Sequence, residues 1–458
     1  MKVVIRGFLL GPSLAVTALV LAVAVSVTLA RDRLTELATR FYGSTDHVLY
    51  PFLAARVAGY RSFLWVLLGI LAAWCLVLWV DPRRRQIATP VSRRMTVALP
   101  WTVVFLVASI IAVLLSHREW VRFGRPCWDN YCVYSQLISS WLRRPSSETW
   151  AALHAFMRTD YHANSPFVPV LVAGATLVSG MSIIHSYRAL CAAATVLALV
   201  VLFLFLRRRL SLSAGNAAAT ILLLASNIVV IRCCCFPQTD AFIFLWVTLS
   251  ITRSLVFLER PTQRGAVGCF AILTTGLFIK LSFLPALALI PLWTVLEPAF
   301  LKRGFSREAA GTLARRVALF VVGPLVVYLV FQVALGLLGM YGREFSRMQT
   351  DDAVPLFHLI SLVHAGAILL PLIVIGARRL TPSDRCLLAW TGLYCLSLWA
   401  GRTSGWDRFY LATLPPLAIV SRHGIQVIRE RLSPTTGSIG AALYAVANYC
   451  ALLFNLYQ

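Results

Sequence analysis

Charge is scarce in this 458-residue sequence, and acidic charge most of all: 18 Asp and Glu stand against 42 Lys and Arg, and only 13% of residues are charged. So few charges exclude a water-facing surface along most of the chain. There is no glycine-rich nucleotide loop, which argues against a nucleotide-linked substrate. The 11 cysteines form no recurring zinc spacing, and most fall in apolar runs, where Cys packs as a small hydrophobe. Sustained heptads, a low-complexity tail, a convincing internal repeat and a sizeable soluble domain after the apolar runs are also missing.

What remains is apolar. The chain is 59% hydrophobic with a mean hydropathy of +0.77, the composition of a polytopic membrane protein. Runs long enough to cross a hydrocarbon core of roughly 30 Å recur throughout. We read them at 8–30, 63–80, 97–116, 187–206, 217–231, 241–258, 266–279, 283–301, 317–338, 359–376, 386–400, 409–420 and 441–457. The first is too long for a removable signal peptide and lacks a small-residue cleavage site, so it is kept as a helix. The fold class expected is therefore all-α and polytopic, with about 13 transmembrane helices.

The net charge of +24 sits in arginine clusters between spans, the usual topogenic pattern, so no nucleic acid is expected as a partner. Clusters such as Arg83-Arg84-Arg85, Arg207-Arg208-Arg209, Arg378-Arg379 and Arg422 to Arg431 are placed inside. One net crossing between residues 165 and 207 keeps that bias consistent, which makes Pro166–Ile184 a re-entrant, interfacial or broken segment. The outer face then collects Asp129, Asp160, His162, Asp240, Lys280, Asp351, Asp352, Asp407 and Arg408 from loops far apart in sequence. Pro145-Ser146-Ser147 separates two surface helices in the first large outer loop, 117–165.

Several strings, in order, resemble the GT-C class of membrane glycosyltransferases, specifically the protein O-mannosyltransferase and aminoarabinose transferase group. RPCWDNYCVYSQLISSW is similar to their first outer loop, in which an acidic residue opens a juxtamembrane helix. DYHANSPFVPVLVAG resembles the later part of that loop, with Ala163-Asn164-Ser165-Pro166 where the group has a Lys-Pro-Pro-type motif. ASNIVVIRCCCFPQTDAFIFLW, LTTGLFIKLSFLPALALIPL and DRFYLATLPPLA are similar to the group's Asp-initiated span, lysine-bearing stretch and Arg-Tyr-type ending. The resemblance covers residues 97–420 as a membrane catalytic core, leaving 1–96 as a two-span N-terminal extension and 421–458 as a cytoplasmic loop with a last span. It implies a GT-C-like bundle with a helical first extracytoplasmic loop. It also implies transfer of a sugar from a polyprenyl-phosphate carrier to a protein, lipid or polysaccharide acceptor on the extracytoplasmic face, generally with inversion. The membrane is the plasma membrane if the source is bacterial.

Such a reaction sets chemical requirements that residues here can meet. A weakly nucleophilic acceptor hydroxyl needs a carboxylate to take its proton, and Asp129 is the candidate, set against a plain N-cap role before Tyr131. A departing lipid phosphate needs fixed cations, for which Arg408 offers a bidentate fork and Lys280 a point charge. Either cation could instead snorkel to the interface. Asp240 could cap its helix, contact sugar hydroxyls, hold the acceptor, or join Asp129 around a divalent cation such as Mg2+ or Mn2+. Tyr131, Tyr161 and His162 are further candidates for substrate contact. Cys127 and Cys132 flank Asp129 and could pair in an oxidising compartment. A lipid or sugar transporter or flippase, and a noncatalytic membrane scaffold, are the alternatives.

Overall fold

The computed structural model describes residues 138–140, 142–143, 146–148, 151, 167–227, 229–230, 239–301, 306–334, 355–400 and 407–431. The spans expected at 8–30, 63–80, 97–116 and 441–457 lie outside the described residues, as do the extension 1–96, Asp129, Tyr131, Tyr161, His162 and the Cys127–Cys132 pair. Among the described residues every regular element is helical and no strand occurs. Described pieces of the first large loop, 138–140, 142–143 and 147–148, are helical too.

Helix α1, Phe167–Ser179, buries Val168, Val172, Ala173 and Thr176 on one face. Its 13 residues reach only about 20 Å, too short to cross a bilayer alone. It stops at Gly180, whose φ of +67° is left-handed, and Ser182 then caps α2, Ile183–Arg208, by accepting from the His185 amide. The 26 residues of α2 are long and apolar enough to span, and its last turn carries Arg207 and Arg208, where cations complement the helix dipole. Val196, Leu197, Val200 and Leu204 are exposed, while Cys191, Ala194, Ala198 and Leu202 face the bundle. Such small residues let helices approach closely where lipid tails are as apolar as the core.

Helix α3, Ala214–Ala225, ends at Ser226 and Asn227, well short of the residue 231 expected from hydropathy. Helix α4, Asp240–Glu259, is the central element and is buried around most of its circumference against α2 and α5, Gln263–Ile279. The next expected span, 283–301, is not one α-helix: Leu281–Ala288 is a 3₁₀ turn and α6 covers Leu289–Phe300. Pro285 explains the change, since it cannot supply an α-helical amide. Helix α7, Arg307–Val317, continues through a π-turn at Ala318–Val322 into α8, Gly323–Ala334. Phe278 of α5 packs edge-on against Tyr328 and Phe331 of α8.

The expected span 359–376 is likewise divided, into α9, Pro355–Gly366, and α10, Leu369–Gly376, at Ala367 with φ +37°. Helix α11 runs over Pro382–Ala400, and a 3₁₀ segment at Asp407–Thr413 leads into α12, Leu414–Arg431. Pro415 and Pro416 suit the first turn of a helix, where their missing amides have no partner to lose. α12 therefore begins later than expected but runs past 420, so Ser421–Arg431 is helical rather than loop. Helices α10 and α12 touch backbone to backbone. A Cβ on Gly424 would collide with the Leu372 carbonyl, and one on Gly376 with the Gly424 amide.

Candidate functional site

The polar site is built around the corner at Lys280. Helix α5 stops when Lys280 becomes extended, with φ −170° and ψ 140°. Its amide still donates to the Gly276 carbonyl, and its own carbonyl accepts from the Phe283 amide. Phe283 folds back over Gly276 so tightly that a Cβ on Gly276 would overlap its ring. The bare glycine thus permits the sharp turn that turns Lys280 out of the α5 axis.

Lys280 Nζ donates to Asp240 Oδ1 at 2.9 Å. Asp240 sits in the first turn of α4, where its charge also favours the helix N-terminus. Its side chain is 5% exposed whereas that of Lys280 is 23% exposed, so the carboxylate is sealed behind an ammonium that still reaches the surface. An ammonium has three donors, leaving Lys280 capacity beyond Asp240.

The third element is the 3₁₀ segment Asp407–Thr413. Lys280 Nζ lies 5.7 Å from the Phe409 ring centroid and Arg408 Cζ 5.3 Å from it. Two cations thus border one aromatic ring, an arrangement the ring quadrupole favours. Tyr394 of α11 donates its hydroxyl to the Phe409 carbonyl at 3.2 Å. Two residues picked from sequence, Asp240 and Lys280, therefore meet, and a third, Arg408, borders the same ring as Lys280, although up to 168 positions separate the three. Of these three residues two are cations and one is a carboxylate.

For the expected divalent cation, the described part of the site supplies one carboxylate, and Asp240 already accepts from Lys280. Among the described residues no three His, Cys, Asp or Glu side chains converge. Sequence reasoning missed Phe409, Tyr394 and a buried hydrogen bond of 2.6 Å between His358 and Tyr410. The only sequence signal for them was the aromatic pair beside Arg408 in DRFYLATLPPLA.

A second ion cluster, also missed, joins α11 to α12. Asp384 Oδ1 and Oδ2 accept from Arg422 at 2.6 and 3.1 Å, and Oδ2 is 2.8 Å from His423 Nε2. Thr381 adds its hydroxyl and amide at 2.7 and 2.9 Å. Burial pushes the Asp384 carboxyl up, but His423, the Arg422 charge and Thr381 outweigh it and hold the group at about 2, below its ordinary 3.8. Nearby, exposed Arg379 and Glu430 form a bidentate pair.

The arrangement of helices is that of an all-α, GT-C-like membrane bundle, the class expected from the motif order. The crystal structure of ArnT from Cupriavidus metallidurans bound to undecaprenyl phosphate has this fold, with a TM-score of 0.53 over 77% of this chain and 76% of that one. Sequence identity is 15%, so the likeness is one of fold. No protein-family model matches the chain, and no curated protein sequence is similar to it.

Proposed function

We propose that the chain is a polyprenyl-phosphate-sugar-dependent glycosyltransferase working at the extracytoplasmic membrane face. The observation that carries this reading is the Asp240–Lys280 pair beside Arg408 and Phe409, a cation-rich site set on a bundle like that of ArnT, which was crystallised with undecaprenyl phosphate. A donor dissolved in the bilayer has to be met by a protein made of helices, and its phosphate becomes more negative as the glycosidic bond breaks. Fixed cations stabilise that change most because they need no reorganisation when it occurs.

In this reading Lys280 and Arg408 hold the donor phosphate, and Asp240 keeps Lys280 aimed. Asp129 takes the proton of the acceptor hydroxyl as its oxygen attacks the anomeric carbon, while the carrier phosphate leaves on the opposite side. The configuration inverts. Tyr131, Tyr161 and His162 are proposed to contact the sugar or acceptor, and any divalent cation would draw on Asp129. The sugar class is a hexose or pentose, and the acceptor a protein, lipid or polysaccharide.

Purified protein given a polyprenyl-phosphate sugar and envelope acceptors should release free polyprenyl phosphate and glycosylate an acceptor. Movement of the intact labelled donor across vesicle membranes, without its cleavage, would instead make the chain a flippase.

A further inference from the structure

A 3₁₀ helix has poorer hydrogen-bond geometry than an α-helix and is used in short pieces, so the segment Asp407–Thr413 depends on outside contacts to hold Arg408 and Phe409 in place. Polar contacts within it and from outside fix it. The Phe409 carbonyl accepts from Tyr394, and the Thr413 hydroxyl donates to the Tyr410 carbonyl at 2.7 Å. Another reaches across the bundle: the Tyr410 hydroxyl lies 2.6 Å from Nδ1 of His358, on α9 and 52 positions away. Tyr410 is 1% exposed and His358 6% exposed, and their rings pack edge to face at 6.1 Å. In the neutral imidazole with its proton on Nε2, Nδ1 accepts the hydroxyl proton of Tyr410.

Tyr410 directly follows Phe409, the ring bordered by both cations. Backbone rotation at Tyr410 would therefore swing Phe409 and Arg408 together. A buried hydroxyl–imidazole bond is directional, so the contact fixes one orientation. We infer that His358 is a positioning residue of the anion site, clamping Tyr410 so that Arg408 and Phe409 present a fixed face to the phosphate of a polyprenyl-phosphate donor. The inference rests on reading that site as the donor-phosphate site. It gives His358 no contact with the substrate and no part in proton transfer.

The test is binding of undecaprenyl phosphate to the purified full-length protein. Tyr410→Phe keeps the ring and removes the hydroxyl; His358→Leu removes the acceptor. Each should weaken binding roughly 5- to 20-fold, and the double variant should lose no more than the single ones. His358→Asn, whose amide lies near the position of Nδ1, should recover binding to within about threefold of wild type. In an Arg408→Ala background, Tyr410→Phe should cost nothing further, because its effect passes through Arg408.

Wild-type affinity in Tyr410→Phe would overturn the inference, and so would an undiminished penalty in the Arg408→Ala background. If His358→Leu does not fold, Tyr410→Phe still decides. Binding that Lys280→Ala weakens but Tyr410→Phe leaves intact rejects only the positioning role. A wild-type protein that does not bind the lipid at all rejects the donor-site reading and this inference with it.

Discussion

Two ion clusters engage helix α11, and they differ in how completely their charges are used. At Asp384, in its first turn, one carboxylate accepts from Arg422 twice, from His423 and from Thr381, and the residue is 1% exposed. Ten residues further, about 15 Å along the axis, Tyr394 supports the other cluster. There Asp240 meets one ammonium, while Lys280 remains partly exposed and Arg408 adds a second cation. The saturated cluster ties helices together and has nothing left to offer a ligand. At the other, Lys280 keeps donors beyond the one that Asp240 takes, on an ammonium that still reaches the surface. Charge alone does not distinguish structural from functional groups in a membrane bundle; unspent hydrogen-bonding capacity does.

The comparison is broken most forcefully at Asp384. Replacing one member of a buried ion pair strands the other, so Asp384→Ala should cost about 3–5 kcal/mol of stability. Thermal unfolding in detergent measures this, and the fraction that still folds should bind donor normally. A variant as stable as wild type would remove the cluster's structural role.

Next comes the contact beneath that cluster. Gly424→Ala forces a methyl group against the Leu372 backbone, and overpacking of this kind should cost about 3 kcal/mol. Neither backbone can yield without parting α10 from α12. A wild-type unfolding temperature would show that the helices adjust freely.

At the open cluster the order of effects reverses. Lys280→Ala and Arg408→Ala should each weaken donor binding by about 1.5–3 kcal/mol, roughly 10- to 150-fold, and Lys280→Ala should also lower stability because it strands the sealed Asp240 carboxylate. Arg408→Lys should fall between wild type and Arg408→Ala, since it keeps the charge and loses the fork. Loss of folding without loss of affinity in either alanine variant would make that cation structural.

The smallest effect is a pH dependence. The Asp384 carboxyl is held at about 2 against an ordinary 3.8. Its depressed value means that the stabilisation is complete above roughly pH 4 and is lost as pH falls through 2, amounting to about 2 kcal/mol. Unfolding temperatures from pH 6 down to 2 should show a decline that Asp384→Asn lacks. Equal declines in both proteins would assign it to other groups.

The contrast also explains what could be read before any coordinates. In a chain with only 18 acidic residues, Asp240 is conspicuous, and so are Lys280 and Arg408 at span ends. Hydropathy found the four described helical stretches long and apolar enough to cross, because apolar length is a local property. It missed the break at Ala367 and the 3₁₀ turn at Leu281–Ala288, because composition averages over single residues that redirect the backbone. Arg422 was read as part of a basic inner cluster and Asp384 was not singled out; their pairing depends on α11 and α12 meeting across 38 positions. His358 and Tyr410 were hidden for the same reason, since no local pattern shows that two distant side chains share a proton.

The most direct test of the central claim is the affinity for undecaprenyl phosphate of folded wild-type, Lys280→Ala, Arg408→Ala and Asp384→Asn proteins, compared in one lipid environment. The account predicts at least a tenfold loss in the two cation variants and none in folded Asp384→Asn. Equal affinity in all four, or a loss confined to Asp384→Asn, would contradict it.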